Sequence, residues 1–210
     1  MSDKQLNWKF AEEFVVEGEH AALARQHSLE LGVEAVTPSI GAQLALLAAA
    51  GRAENIVEIG TGVGVSAHWL LAGAPNAELT SIDTEIDYQQ SARKTLLDAG
   101  YAAKQLRLIA GTAAEVLPRL NEASYNMVFV DADPASVIEY VEHGLRLVKR
   151  GGTVVVAHAL WRDRVADPTQ RDETVKNFRL LLKEIAASPA VISALSPAGD
   201  GLLQLTKVRD

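Results

Sequence analysis

Ile56-Val57-Glu58-Ile59-Gly60-Thr61-Gly62-Val63-Gly64-Val65-Ser66 decides the reading of this chain. A short apolar run carries a carboxylate near its end, passes through a glycine-rich turn and opens into a helical stretch at Ser66. A glycine turn between a parallel strand and a helix lets a ligand approach the backbone. It also points the free N–H groups of the helix at that ligand. The arrangement suits a nucleotide-like cofactor.

Outward from this turn the pattern repeats. Short apolar runs at Asn55–Ile59, Glu78–Ile82, Leu106–Ile109, Asn126–Val130 and Thr153–Ala157 alternate with helical segments. The helices fall near Val65–Ala72, Asp87–Ala99, Thr112–Leu120 and Ala135–Val148. Such alternation predicts a parallel sheet covered on both faces. After a helix near Glu173–Ala187 come two further runs, Ala190–Leu195 and Leu202–Val208, joined by Ser196-Pro197-Ala198-Gly199-Asp200-Gly201. A connection this short suits an antiparallel pair at one edge, which brings the strands to seven. Upstream, Thr37-Pro38 opens an alanine- and leucine-rich helix that Gly51 stops. Residues 8–31 read as helix broken at Gly18.

Composition narrows the function classes. The chain has 210 residues, of which 48% are hydrophobic and 22% charged, as expected for one globular domain. It has no cysteine, which excludes disulfides and thiolate-held metals. The N-terminus lacks an apolar signal core, and the longest apolar stretch, Leu44 to Ala50, is too short to span a bilayer. The expectation is a cytoplasmic protein without a membrane partner. A net charge of −7 argues against broad phosphate-backbone binding, and so against a nucleic-acid partner.

Gly60, Gly62 and Gly64 form GxGxG, in which the last glycine falls one position short of the dinucleotide fingerprint GxGxxG. The turn alone is also compatible with simple packing of its helix. Two carboxylates favour a ligand. Glu58 ends a buried strand, where an uncompensated charge is costly. Asp83 stands at the tip of the next strand, where it either holds a ribose hydroxyl pair or caps the following helix.

VEIGTGVGVSA, SID, YNMVFVDAD, GGTVVVAHALWRDRVADP and SPAGDGLLQLTKV, in this order, resemble the S-adenosylmethionine-dependent O-methyltransferases of the catechol and caffeoyl-CoA type. The resemblance runs from about Val36 to Val208. It implies a Rossmann-like α/β fold with a seven-stranded, mostly parallel sheet, an antiparallel last strand and helices on both faces. It divides a single domain, residues 1–210, into an N-terminal helical cap or dimerisation segment (1–35) and a catalytic core (36–210). It implies S-adenosylmethionine as cofactor. Glu58, Gly60, Thr61, Gly62 and Ser66 would surround the amino-acid and methionine side. Asp83 would take the ribose, Gly111-Thr112-Ala113 the adenine, and Val36 and Thr37 the methionine end. Ala113 lacks the side-chain donor sometimes found there. Asp131 and Asp133 would stand at the edge shared with a small hydroxylated acceptor, and the resemblance also implies a homodimer.

The metal-dependent members of this family bind Mg²⁺ or Ca²⁺ through the first Asp after strand four and an Asp-Asn pair after strand five. A Lys three residues beyond the first Asp helps to deprotonate the acceptor. Here Asp131 is kept, Pro134 stands at the Lys position, and Ala157-His158 replaces the pair. An alanine supplies no ligand, and an imidazole suits a hard cation poorly. The reading is that the metal site is lost. His158 is then a general base with an ordinary pKa near 6.5, a nitrogen ligand beside Asp131 for a transition metal, or a satisfied polar residue at a strand end. Trp161 either stacks on an aromatic acceptor or anchors its loop. The N-terminal segment with Trp8, Phe10, Phe14, Val15 and Val16 covers the acceptor site or forms a dimer face. His20, His27, His68 and His143 read as surface or packing residues. Three other functions compete with methylation of a small acceptor. They are methylation of a hydroxylated wobble uridine in tRNA, cofactor binding without catalysis, and nicotinamide-dependent oxidoreduction.

Overall fold

A computed structural model describes residues 3–209; residues 1, 2 and 210 of the expected single domain lie outside them. Seven strands form one sheet: β1 (Asn55–Ile59), β2 (Glu78–Asp83), β3 (Leu106–Ala110), β4 (Tyr125–Val130), β5 (Val148–Val156), β6 (Val191–Ser196) and β7 (Leu202–Lys207). Their order is β3-β2-β1-β4-β5-β7-β6. β1 to β5 pair in parallel, and β7 enters antiparallel between β5 and β6. The chain order reverses between β1 and β4. Open α/β sheets bind ligands at such a switch point, beyond the carboxyl ends of the strands.

Eight helices accompany the sheet: α1 (Asp3–Phe14), α2 (Glu19–Leu31), α3 (Pro38–Ala50), α4 (Val65–Gly73), α5 (Ile86–Asp98), α6 (Ala113–Val116), α7 (Val137–Leu147) and α8 (Glu173–Ala187). The alternation of side chains along the strands explains why both faces are covered. Met127, Phe129 and Val155 join one core with Leu44, Leu70 and Leu96 of α3, α4 and α5. Their neighbours Val128, Val130, Val154 and Val156 join the other with Val141, Phe178 and Leu181 of α7 and α8. Strands apolar on both sides can only be interior, so the sheet is sandwiched between two helical layers. α3 and α4 pack closely because position 41 has no side chain. A Cβ there would lie 2.3 Å from Trp69 Nε1.

Two elements depart from the expected boundaries. The helix expected over 112–120 has one α-turn and then a 3-10 turn at Leu117–Arg119. Pro118 has no N–H to give and its ring crowds the preceding turn, so a continuous helix is disfavoured. β5 starts at Val148, earlier than Thr153, and takes in Gly151-Gly152 at a register shift opposite Tyr125 and Met127. Among the described residues, no helix is long and apolar enough to cross a membrane.

Candidate active site

The turn after β1 brings the carboxyl ends of β1, β2 and β4 together. Gly60 N–H donates to Ile82 C=O (2.9 Å), and Asp131 N–H donates to Ile59 C=O (2.8 Å). Gly60 has φ +96°, and a Cβ there would lie 1.9 Å from the Asp131 carbonyl oxygen. Only glycine fits where the turn presses on the strand opposite.

Above this turn lies a cavity of about 270 Å³. Its wall includes Val36, Gly60, Thr61, Gly62, Ser66, Asp83, Gly111, Ala113, Asp131 and Asp133, all singled out in the sequence. Tyr88 and Tyr140 also line it, and neither stands in a motif that marks it as a site residue. Asp83 accepts from Gly62 N–H (2.8 Å) and from Glu85 N–H (2.9 Å), so each carboxylate oxygen keeps a free lone pair. Asp133 also caps the 3-10 turn Pro134–Ser136 by accepting from Ala135 N–H (3.1 Å).

Glu58 departs from its expected place. It is wholly buried behind the cavity wall, accepting from Ser66 Oγ (2.6 Å) and Ser81 Oγ (2.5 Å). Thr61 Oγ1 lies 2.6 Å from Ser81 Oγ, so the carboxylate orders the hydroxyls behind the turn. Burial raises its pKa from 4.5 to about 7, against the two serine bonds, which lower it. The folded form therefore holds its proton more tightly than the unfolded form. That contribution is complete below about pH 4.5 and is lost as pH rises through 7. Glu58→Gln keeps a donor and an acceptor for the two serines without the titration. Relative to wild type, the variant is expected to gain up to about 3 kcal/mol between pH 4.5 and 8, read by urea denaturation at both pH values. An unchanged difference across that range counts against a titrating Glu58.

A second, smaller cavity of about 120 Å³ adjoins the first at Glu34, Ala35 and Val36, which line both. Trp8, Thr37, Ile40, Ala157, His158, Gly199, Asp200 and Gly201 complete it. Glu12 of α1 accepts from Thr37 Oγ1 (3.0 Å) and from Ser39 N–H (3.0 Å), which fixes α1 over the start of α3 and places Trp8 at the pocket.

His158 stands between two carboxylates. Its Nε2 is 3.3 Å from Asp131 Oδ1 and its Nδ1 is 3.3 Å from Asp200 Oδ2. The bond to Asp131 raises the imidazole pKa from 6.5 to about 9; burial opposes the shift, and Asp200 adds to it. This corrects the expectation of a base with an ordinary pKa. At neutral pH the ring is a cation with both N–H groups engaged, and it cannot accept a proton. The donors also fit a divalent ion poorly. The imidazole lies between the carboxylates of Asp131 and Asp200 and engages both, Ala157 offers nothing, and Pro134 cannot titrate. Among the described residues no group of three or more His, Cys, Asp or Glu is arranged as a ligand set.

Asp200 was missed as a site residue. In the sequence it reads as part of a turn, 42 positions after His158. The loop that carries His158 is latched to that turn: Ala159 N–H donates to Gly201 C=O (2.9 Å) and Leu160 N–H to Asp200 C=O (3.0 Å). Arg162 N–H also donates to the Asp200 carboxylate. His158, Trp161, Arg162 and Asp163 all have positive φ (57°, 44°, 55° and 61°), a strained run without glycine that these bonds hold in place. Trp161 stacks on Phe178 with centroids 5.8 Å apart, so it anchors the loop; the aromatic ring in the smaller pocket is Trp8. His68 is pushed down to about 4 by burial and stacks on His20, in keeping with a packing role.

The family model described as O-methyltransferase matches residues 15–208. The chain belongs to the O-methyltransferase family. A Mycobacterium tuberculosis protein named as an O-methyltransferase is 42% identical to it over 204 residues, covering 97% of this chain and 90% of the relative. A Mycobacterium ulcerans relative of the same name is 43% identical over 188 residues, covering 89% and 83%. Among solved structures, a Corynebacterium glutamicum protein superposes with TM-score 0.91 at 27% identity, covering 100% of this chain and 99% of the other. TomG of Streptomyces achromogenes, an O-methyltransferase of tomaymycin synthesis solved with S-adenosylmethionine, superposes with TM-score 0.85 at 30% identity, covering 99% of each chain. The sheet of this O-methyltransferase, with its antiparallel last strand, is the Rossmann-like class I methyltransferase arrangement.

Proposed function

We propose that the chain transfers a methyl group from S-adenosylmethionine to a hydroxyl of a small aromatic acceptor, and that it needs no divalent metal. One observation carries this reading. The glycine-turn cavity and the Trp8 pocket adjoin, with Asp131 lining one, His158 lining the other, and the two side chains in contact. The S-adenosylmethionine seen in TomG supports the assignment of the larger cavity.

When bound there, S-adenosylmethionine would supply a methyl group on a positively charged sulfur. Asp83, with its free lone pairs, accepts from the ribose hydroxyls. The backbone of Gly60–Gly62, with Thr61 and Ser66, faces the amino-acid half, Val36 covers the methionine end, and Ala113 stands on the adenine side. The acceptor ring enters the smaller pocket against Ile40 and Trp8. The His158 cation favours the ionised form of the acceptor oxygen, and Asp131 takes the proton. Positive charge beside the oxygen is what a metal provides elsewhere in the family.

Calorimetry tests the cofactor. S-adenosylmethionine and its demethylated product are expected to bind, and Asp83→Ala to weaken both by about 1–3 kcal/mol through lost charge-assisted hydrogen bonds. Tight binding of NAD with no response to S-adenosylmethionine would sink the proposal. A homodimer belongs to the same reading, because α1 exposes Leu6, Trp8, Phe10 and Phe14 together. Light scattering is expected to report about twice the 22.5 kDa chain mass. A monomer whose solubility survives removal of residues 1–20 argues against an N-terminal interface.

A further inference from the structure

Among the described residues, the walls of both cavities contain no lysine and no arginine. The smaller pocket carries the carboxylates of Glu34 and Asp200, with Asp131 just behind His158. Its one cationic side chain, His158, has a carboxylate on each ring nitrogen. Arg162, which reaches the pocket through Glu34, donates to that carboxylate (3.1 Å) and lies over the Trp161 ring, 5.7 Å from its centroid. The carboxylates of Glu34, Asp131 and Asp200 outnumber the cations paired with them, His158 and Arg162, so an incoming anion meets net negative charge and, among the described residues, no unengaged positive group in the pocket wall. The pocket is also small. A cavity of about 150 Å³ accommodates one benzene ring, so about 120 Å³ open at its mouth admits a single ring with its substituent directed outward, past Glu34 and Trp8.

We propose that the acceptor pocket selects single-ring acceptors that carry no negative charge, and that Glu34 at its mouth sets this selectivity. The inference rests on the O-methyltransfer reading for its chemistry, but concerns which acceptors are admitted. It excludes acceptors with carboxylate, phosphate or coenzyme A tails, because the three carboxylates at the pocket outnumber their two cationic partners and the net negative charge opposes association with an anion.

Two compounds of equal ring size separate the cases: 3,4-dihydroxyphenylethanol, which is neutral, and 3,4-dihydroxyphenylacetate, which is anionic. Turnover is measured with saturating S-adenosylmethionine. Binding is measured by calorimetry on protein saturated with S-adenosylhomocysteine. The neutral compound is expected to be favoured roughly tenfold or more in both kcat/KM and affinity. Glu34→Gln is expected to narrow the ratio to about threefold or less, and Glu34→Lys to invert it. A ratio between two acceptors cancels any change in cofactor affinity, which matters because Glu34 also borders the larger cavity. Equal treatment of the two compounds, a preference for the anion, or no binding of either overturns the proposal. A preference that Glu34→Gln leaves intact overturns the role of Glu34. Selective binding without any methyl transfer supports the charge filter and tells against the methyltransfer reading. Loss of turnover of the anionic compound on Arg162→Ala, where wild type accepts it well, would mean that Arg162 serves anions and would also overturn it.

Discussion

EDTA is expected to leave methyl transfer intact, while His158→Ala is expected to lower kcat by about 10²-fold or more with little change in S-adenosylmethionine affinity. A developing phenolate needs a positive neighbour, and among the described residues the imidazolium between Asp131 and Asp200 is the one cation lining the smaller pocket. Its pKa near 9 gives the pH profile a sign. Acting as a cation, it sustains turnover through neutral pH, and turnover falls as pH passes about 9. A general base with the same pKa would give turnover that rises toward 9. Stability follows the same titration. The raised pKa contributes stability that is complete below about pH 6.5 and is lost as pH rises through 9. The double variant Ala157→Asp/His158→Asn installs the Asp-Asn pair of the metal-dependent members beside Asp131 and is expected to make turnover depend on Mg²⁺. Wild-type turnover abolished by EDTA and restored by Mg²⁺ would refute the assignment.

Gly60→Ala is expected to cost about 2–5 kcal/mol of stability and to abolish cofactor binding. The new methyl would lie 1.9 Å from the Asp131 carbonyl oxygen at φ +96°. Relief requires the ends of β1 and β4 to part, which adds overpacking to the left-handed penalty of an L-residue. The same displacement moves Asp131 and the N–H groups facing the cavity. Gly62→Ala is the control. Its φ is +48° and the nearest atom to a Cβ is Val33 Cγ1 at 3.7 Å, so only the backbone penalty of about 1–2 kcal/mol applies. Urea denaturation and calorimetry on both variants measure the contrast; equal losses would remove the steric argument.

The strands were legible because burial on both faces leaves unbroken apolar runs such as Met127–Val130, and the helices because their ends carry local signals such as Thr37-Pro38 and Gly51. The larger cavity was legible for the same local reason: Gly60, Gly62 and Asp83, which line it, belong to one strand–turn–helix–strand unit. The smaller pocket was only partly so. Asp200 lies 42 positions after His158, on the turn before a strand that neighbours β5, and nothing in Gly199-Asp200-Gly201 distinguishes that carboxylate from an ordinary turn residue. The left-handed run from Trp161 to Asp163 contains no glycine or asparagine to announce it. The imidazole pKa depends on both distant contacts, so residue type alone gave the ordinary value.

β7 fills the gap between β5 and β6, and the turn leading into it supplies Asp200. Translation therefore delivers the parts of the site at different times. The glycine turn, Asp83 and Asp131 are made early, and Asp200, the second carboxylate beside His158, is made only just before residues 202–207. A nascent chain therefore has the residues that wall the larger cavity well before it has both carboxylates that flank His158.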